Sequence, residues 1–250
     1  MTQETVVLTD FGQPVDKYVV LLRDQGYGIT RTDVSLILRK PYSPGDFERV
    51  KGILDAQRLA ARVRRSIAPE FDESDYEKSN LLVLSLPEEW IDGLSFTAIC
   101  STCGRSYVMP DYDRRVRRVE WKKPIVMLNG QVPTVSASVR DAIEREGLSG
   151  ALFHAFDQEG RYFYLATSRR LGKLLVRADE VLGLRGACEE CGLPQWEMNF
   201  GPLRYARADW MGEDFIYSAF EEGPLYSSRA FEVLTSFDSS VSRVSPVYLE

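Results

Sequence analysis

The 250-residue sequence has few of the residues that build catalytic sites, with one histidine, His154, and four cysteines. It contains no phosphate-binding loop, no dinucleotide-binding glycine pattern and no Gly-x-Ser-x-Gly motif. His154 lies between Phe153 and Ala155, and no second catalytic group pairs with it by spacing, so we expect a packed or edge-strand residue. These features favour a chain that is not an enzyme, and an enzyme of unrecognised type is the third alternative.

Long apolar runs are also missing, since none approaches the ~20 residues of a membrane span. The segment 1–18 lacks the basic and apolar regions of a signal peptide, so we expect a cytoplasmic protein with no membrane partner. The formal charge of −6 disfavours general binding to nucleic acid. One basic run is an exception, and it is open to interpretation as a solvated, salt-bridged strand or loop or as a phosphate-binding face: Arg114, Arg115, Arg117, Arg118, Lys122 and Lys123.

The first part of the chain, residues 1–93, has an α/β pattern. The segment 33–40 is typical of a strand, and apolar residues at helical spacing predict a helix from a Ser43 cap to about Ile67. The continuous apolar run 80–87 is short enough for a buried strand. We therefore expect an N-terminal α/β part.

The remainder, residues 94–250, contains two similar patterns at 94–157 and 184–250. In each, a proline (Pro133 or Pro224) is followed three residues later by a serine (Ser136 or Ser227) and then by a short helical stretch. An internal duplication and a chance similarity of two α/β units both fit this pattern. The expected fold class is α/β (α+β), with mixed sheets and short helices.

All four cysteines lie in two copies of Cys-x-x-Cys-Gly, at Cys100 and Cys103 and at Cys188 and Cys191. Two intervening residues allow both sulfurs of a tight knuckle to reach one Zn²⁺ at about 2.3 Å, and the glycine removes a Cβ from a crowded turn. Two such pairs would complete a closed, structural zinc site that joins the two C-terminal units.

Two alternatives remain for these cysteines. A redox pair needs its first cysteine at a helix N-terminus, whereas the segment around Cys100 is typical of strand, knuckle and strand, and Pro194 follows the second pair closely. Four reduced cysteines that only pack are the other alternative. Persistent disulfides are disfavoured by the cytoplasmic expectation.

The paired motifs, with Gly104 and Gly192 after the second cysteine of each, resemble those of the double-CXXCG-motif family of myxobacterial proteins. Some members of that family are named as immunity proteins of swarming-inhibition toxin systems. The resemblance covers residues 99–192 and implies a cytoplasmic protein that binds and silences a cognate toxin. The alternative function is a zinc-ribbon-containing nucleic-acid-binding or regulatory module that uses the arginine run.

An acidic and aromatic segment, residues 209–222, suggests where a basic partner would bind. We expect Trp210, Asp214, Phe215 and Glu222 at this partner-binding face, because complementary charge speeds encounter and aromatic residues supply affinity. The alternative is a polar rim around core aromatics. We expect the tryptophans in general to pack in the core.

Overall fold

The computed structural model describes residues 2–23, 25–32, 35–41, 45–104, 106–108, 112–190, 195, 198–199, 201–218 and 223–250. Its α-helices are α1 (Val15–Arg23), α2 (Asp46–Ala56), α3 (Glu73–Lys78), α4 (Ala137–Arg145) and α5 (Ser228–Phe237). Its strands are β1 (Thr2–Thr9), β2 (Gly28–Arg31), β3 (Leu36–Pro41), β4 (Arg62–Pro69), β5 (Leu81–Ser85), β6 (Glu88–Glu89), β7 (Thr97–Ile99), β8 (Ser106–Val108), β9 (Ile125–Leu128), β10 (Val132–Ser136), β11 (Ala151–Ala155), β12 (Tyr162–Thr167), β13 (Val181–Leu182), β14 (Met198–Asn199), β15 (Leu203–Tyr205), β16 (Phe215–Ser218), β17 (Gly223–Tyr226) and β18 (Ser242–Leu249). Several sheets and few short helices confirm the expected α/β (α+β) class.

The chain forms two compact units. The first comprises residues 1–71, 177–184 and 196–201, and the second comprises 72–176, 185–195 and 202–250. The boundary expected between residues 93 and 94 lies inside the second unit, because β5 pairs there with β17 and β18.

In the first unit, β1 to β4 form an antiparallel sheet of order β2-β3-β1-β4. With α1 after β1 and α2 after β3, this is the β-α-β-β-α-β arrangement called ferredoxin-like. Val6 and Leu8 alternate along β1 with less buried residues and pack with Tyr18 of α1 and Leu54 of α2. The two helices and the inward positions of the sheet therefore share one core.

The predicted extension of α2 to about Ile67 is wrong. The helix ends at Ala56, Arg58 adopts a left-handed φ of 52°, and the amide of Leu59 donates to the carbonyl of Leu54 at 2.9 Å. Residues Arg62–Pro69 then form β4, paired with β1 over its whole length. The expected Ser43 cap lies outside the described residues.

The second unit contains two five-stranded sheets, of order β11-β12-β10-β9-β6 and β15-β18-β5-β17-β16. Both faces of each sheet are buried. In β12, Phe163 and Leu165 enter a cluster shared with α4, α5 and the other sheet, whereas Tyr162 and Tyr164 enter a cluster on the opposite face. Burial on both faces explains the continuous apolar runs in these strands.

The same succession of elements occurs in each sheet: a hairpin, a helix and a strand. The first is β9-β10-α4-β11 and the second is β16-β17-α5-β18. Pro133 and Pro224 are each the second residue of the second hairpin strand. Ser136 and Ser227 precede the helices with nearly equal dihedral angles, φ −71° and ψ 162° against φ −70° and ψ 164°. Common ancestry of the two segments stays a prediction.

The outer face of the first sheet is covered by chain from the segment 91–121, which includes the first cysteine pair. Phe96 and Val119 are buried there against Leu128, Phe156 and Tyr164. This cover layer carries the first cysteine pair.

Candidate metal centre

The first cysteine pair forms the turn of the β7–β8 hairpin, which pairs Ile99 with Ser106. The amide of Gly104 donates to the carbonyl of Cys100 at 2.9 Å, and Gly104 has a left-handed φ of 69°, which glycine adopts without strain. Cys100 is buried, with 1% of its surface exposed, and Cys103 is partly buried. The predicted sequence of strand, knuckle and strand is confirmed here.

The segment that carries Cys188 is closed by two backbone hydrogen bonds. The amide of Arg185 donates to the carbonyl of Gln195 at 2.8 Å, and the amide of Gln195 donates to the carbonyl of Gly186 at 2.7 Å. Cys188 lies within this closed segment and is 5% exposed. Cys191 and Gly192 lie outside the described residues.

Three cysteine sulfurs meet in the second unit. The Sγ atoms of Cys100, Cys103 and Cys188 all lie within 4.8 Å of one another, and those of Cys100 and Cys188 are 3.8 Å apart. A disulfide needs about 2.05 Å, so these are thiols and not a bond. Four sulfurs at about 2.3 Å from a tetrahedral ion are separated by about 3.8 Å. The cluster is therefore close enough to hold a metal ion.

The environment of Cys100 disfavours a redox nucleophile. The backbone amide of Cys103 donates to the Cys100 sulfur and lowers its pKa, but burial and the thiols of Cys103 and Cys188 raise the pKa of Cys100 to about 12. A redox nucleophile needs a lowered pKa, whereas a bound divalent cation deprotonates its thiol ligands directly. A metal site and a cluster of reduced thiols that only pack both fit this direction and this geometry.

Glu190 links the two cysteine segments, although its position in the sequence gave no signal for this role. Its Oε2 atom accepts hydrogen bonds from Ser101 Oγ at 2.8 Å, from the Thr102 amide at 3.1 Å and from Thr102 Oγ1 at 2.5 Å. The hydroxyls of Thr102 and Ser101 lower the pKa of Glu190 to about 2. Glu190 follows Cys188 by two residues, so this carboxylate fixes the second pair against the turn of the first.

The residues expected at a partner-binding face are buried or partly buried where the structure describes them. Phe215 is completely buried in the core, and Asp214 is 4% exposed and accepts hydrogen bonds from the Ser149 amide at 2.9 Å and from Ser227 Oγ at 2.6 Å. Trp210 is partly buried, and its Nε1 donates to the carbonyl of Glu213 at 2.9 Å. Glu222 lies outside the described residues. The described members therefore hold the fold together, which differs from the predicted surface role.

The single histidine packs as expected. His154 lies on β11, an edge strand of its sheet, and its ring stacks on Tyr112 with centroids 4.5 Å apart and planes 9° apart. The expectation that the tryptophans pack in the core is wrong for Trp90, which is 67% exposed. Among the described residues, no helix has the length and apolar character needed to cross a membrane.

Comparisons of the chain with models of known protein families, with curated proteins and with solved structures found no match. The resemblance to the double-CXXCG-motif family therefore depends on the two cysteine motifs alone.

Proposed function

We propose that this chain is an immunity protein that binds and neutralises a cognate bacterial toxin, and that its fold is stabilised by a structural zinc ion held by Cys100, Cys103, Cys188 and Cys191. The observation that carries the zinc proposal is the 3.8 Å separation of the Cys100 and Cys188 sulfurs, which come from segments 88 residues apart. Thiolates are ligands that zinc favours, and two knuckles of this kind supply four of them.

A closed site of four cysteines leaves no coordination position for water or substrate, so it supports a structural role. Three of the four cysteines lie in the cluster, and Cys191 directly follows Glu190, which itself bonds to the first knuckle. The function of such a protein then lies in its surfaces. The double motif and its resemblance to a family with named immunity proteins support toxin neutralisation.

The alternative function, a nucleic-acid-binding or regulatory module, is supported by one observation. The charged side chains of the basic run between Arg114 and Lys123 are exposed. A negative chain with one basic segment binds a polyanion less well than a generally basic domain does, so toxin neutralisation is preferred.

Coexpression tests the proposed function, with the product of the reading frame next to this chain's gene as the toxin probe. We expect the pair to co-purify, and growth of the host to be restored until toxin exceeds this chain at a molar ratio of about one, because a binding protein acts stoichiometrically. Purified proteins mixed at defined ratios give the same measurement in vitro. Lack of any complex would contradict neutralisation by binding, and full protection far below equimolar amounts would indicate a catalytic activity instead.

A further inference from the structure

A cleft of about 970 Å³ opens in the second unit. It is lined by three segments, 89–91, 116–124 and 237–239. The lining combines Trp90 and Trp121 with the cations Arg118 and Lys122. Tryptophan and arginine are enriched at the centres of protein interfaces.

Trp90 is an exposed aromatic residue on a rigid support. The carboxamide of Asn129 accepts from the amide of Ile91 at 2.7 Å and donates to the Ile91 carbonyl at 3.0 Å and to the Leu94 carbonyl. Asn129 is itself 6% exposed, at the turn between β9 and β10. The Trp90 ring lies beside Gly130, where an added Cβ would come within 3.9 Å of it. A partner that covers this ring therefore loses little binding free energy to the ordering of the ring and its support.

The segment 113–123 at the cleft is strongly basic. It holds six cations and two acidic residues, all exposed, which gives a formal charge of +4. Because the whole chain carries −6, the rest carries −10. The segment is held in place, since Val116 and Val119 pack inward and Val116 bonds to the backbone beside β11 through Phe156 and Gln158. The positive charge is thus localised and fixed.

The acidic residues of the lining neutralise only part of this charge. Glu89 pairs with Lys123 at 2.8 Å, and Asp238 accepts from the amide and hydroxyl of Ser240. Glu120, the third acidic residue of the lining, is exposed and is already counted in the charge of +4. In the part of the chain that the structure describes, Arg118 and Lys122 form no ion pair. These two cations line the same cleft as the exposed indole ring and can meet an anionic partner there.

We infer that this cleft is the toxin-binding face, and that it takes an acidic segment of the toxin with an apolar side chain seated on Trp90. The inference rests on the proposed function and reverses the sign of the charge that the sequence suggested for the interface. A protein partner fits better than nucleic acid because a folded protein presents a compact acidic cluster. A nucleic-acid strand carries continuous charge and would extend from this patch over the negative remainder of the surface.

Two variants test the cleft in binding measurements with the purified product of the neighbouring reading frame. Trp90→Ala is expected to weaken the complex about 30-fold, the loss typical of an interface hot spot. Arg118→Glu with Lys122→Glu is expected to slow association about 10-fold or more at low salt and to flatten its salt dependence. Matched controls are Met211→Ala, an 81% exposed apolar residue, and Arg49→Glu with Lys51→Glu in the first unit. Both controls should bind as wild type does.

The outcomes separate this inference from the proposed function. If both cleft variants bind the toxin with wild-type affinity, the cleft is not the interface, and the proposed neutralisation by binding still stands. No binding by the wild type would overturn both. In a parallel arm, a 20-nucleotide single strand and its duplex are titrated at physiological salt. If the wild type binds either one tightly and the double charge reversal does not, the ligand of the cleft is nucleic acid and not the toxin.

Discussion

At the scale of single residues, the two cysteine segments are joined by hydrogen bonds as well as by the cysteine cluster. Glu190 contributes a charged acceptor to two hydroxyls and one amide of the other knuckle. Hydrogen bonds to an ionised group are stronger than neutral ones, and groups that orient metal ligands affect metal affinity. Glu189, its neighbour, is exposed. The pair therefore offers a variant and its control at adjacent positions.

We expect Glu190→Gln to weaken zinc binding about 10-fold or more, because the neutral amide is a weaker acceptor and brings an N–H that the Thr102 amide cannot accept. Competition with a chromogenic chelator measures this affinity. Glu189→Gln should match wild type, which controls for the change in charge near the site. Equal affinities for the Glu190→Gln variant and wild type would show that the hydrogen bonds of Glu190 do not position the ligands.

The cysteine cluster could be predicted from the sequence because the spacing within each pair is the spacing of two ligands of one metal ion. Cys100, Cys103 and Cys188 meet as expected. Glu190 could not be predicted, because its role depends on the approach of a segment 88 residues earlier in the chain, at Thr102. The charge of Asp214 and the aromatic character of Phe215 predict surface positions, but both residues are buried. Their burial comes from the pairing of β16 with β17, which the local sequence does not indicate.

At the scale of elements, the apolar run 80–87 correctly predicted a strand, β5, whereas helical periodicity predicted one helix that is too long. The helix α2 was predicted too long because residues 59–67 combine alanine and arginine, good helix formers, with apolar residues that also alternate as in a strand. Pairing with β1 selected the strand. Strand pairing thus decides the structure of a segment whose sequence fits both the helical and the strand periodicity.

A close contact between elements occurs where Gly150 precedes β11 and meets β16. Gly150 has φ +91°, and an added Cβ would lie 2.1 Å from the carbonyl oxygen of Phe215. The same junction carries the bonds from the amides of Asp214 and Phe215 to the Ser149 carbonyl. Gly160 has a similar φ of +67° but no atom within 4 Å of an added Cβ. Substitutions at the two glycines therefore distinguish the cost of backbone strain, which both share, from the cost of a steric clash, which only Gly150 has.

We expect Gly160→Ala to lower the free energy of unfolding by about 1–2 kcal/mol, the cost of a left-handed alanine. Gly150→Ala should lower it by at least about 2 kcal/mol more, because the backbone of β16 must also move. Urea denaturation of both variants gives the difference. Equal losses at the two positions would mean that the junction between β11 and β16 yields without cost.

At the scale of the whole molecule, the candidate metal centre belongs to one of the two units. All four cysteine positions belong to the second unit. The first unit has no cysteine and holds its own core of Val6, Leu8 and Leu38 with residues of both helices. The second unit has large cores between and outside its sheets, and the first knuckle belongs to the cover layer that contributes Phe96 and Val119 to one of them. Metal loss should therefore act locally before it acts globally.

This localisation gives a prediction for the metal itself. We expect one zinc ion per chain by elemental analysis, and we expect chelation to remove amide protection against hydrogen exchange from β7, β8 and residues 185–190 first. Structural zinc contributes on the order of 10 kcal/mol in small domains, but here the apolar cores share the task, so the first unit should keep its exchange pattern. Cys188→Ser should reproduce the effect of chelation, whereas Met211→Ser, at an exposed position, should not. If the metal-free protein protects the knuckle amides as well as the zinc-loaded protein does, the four cysteines only pack. The hydrogen bonds of Glu190 would then be what joins the two segments.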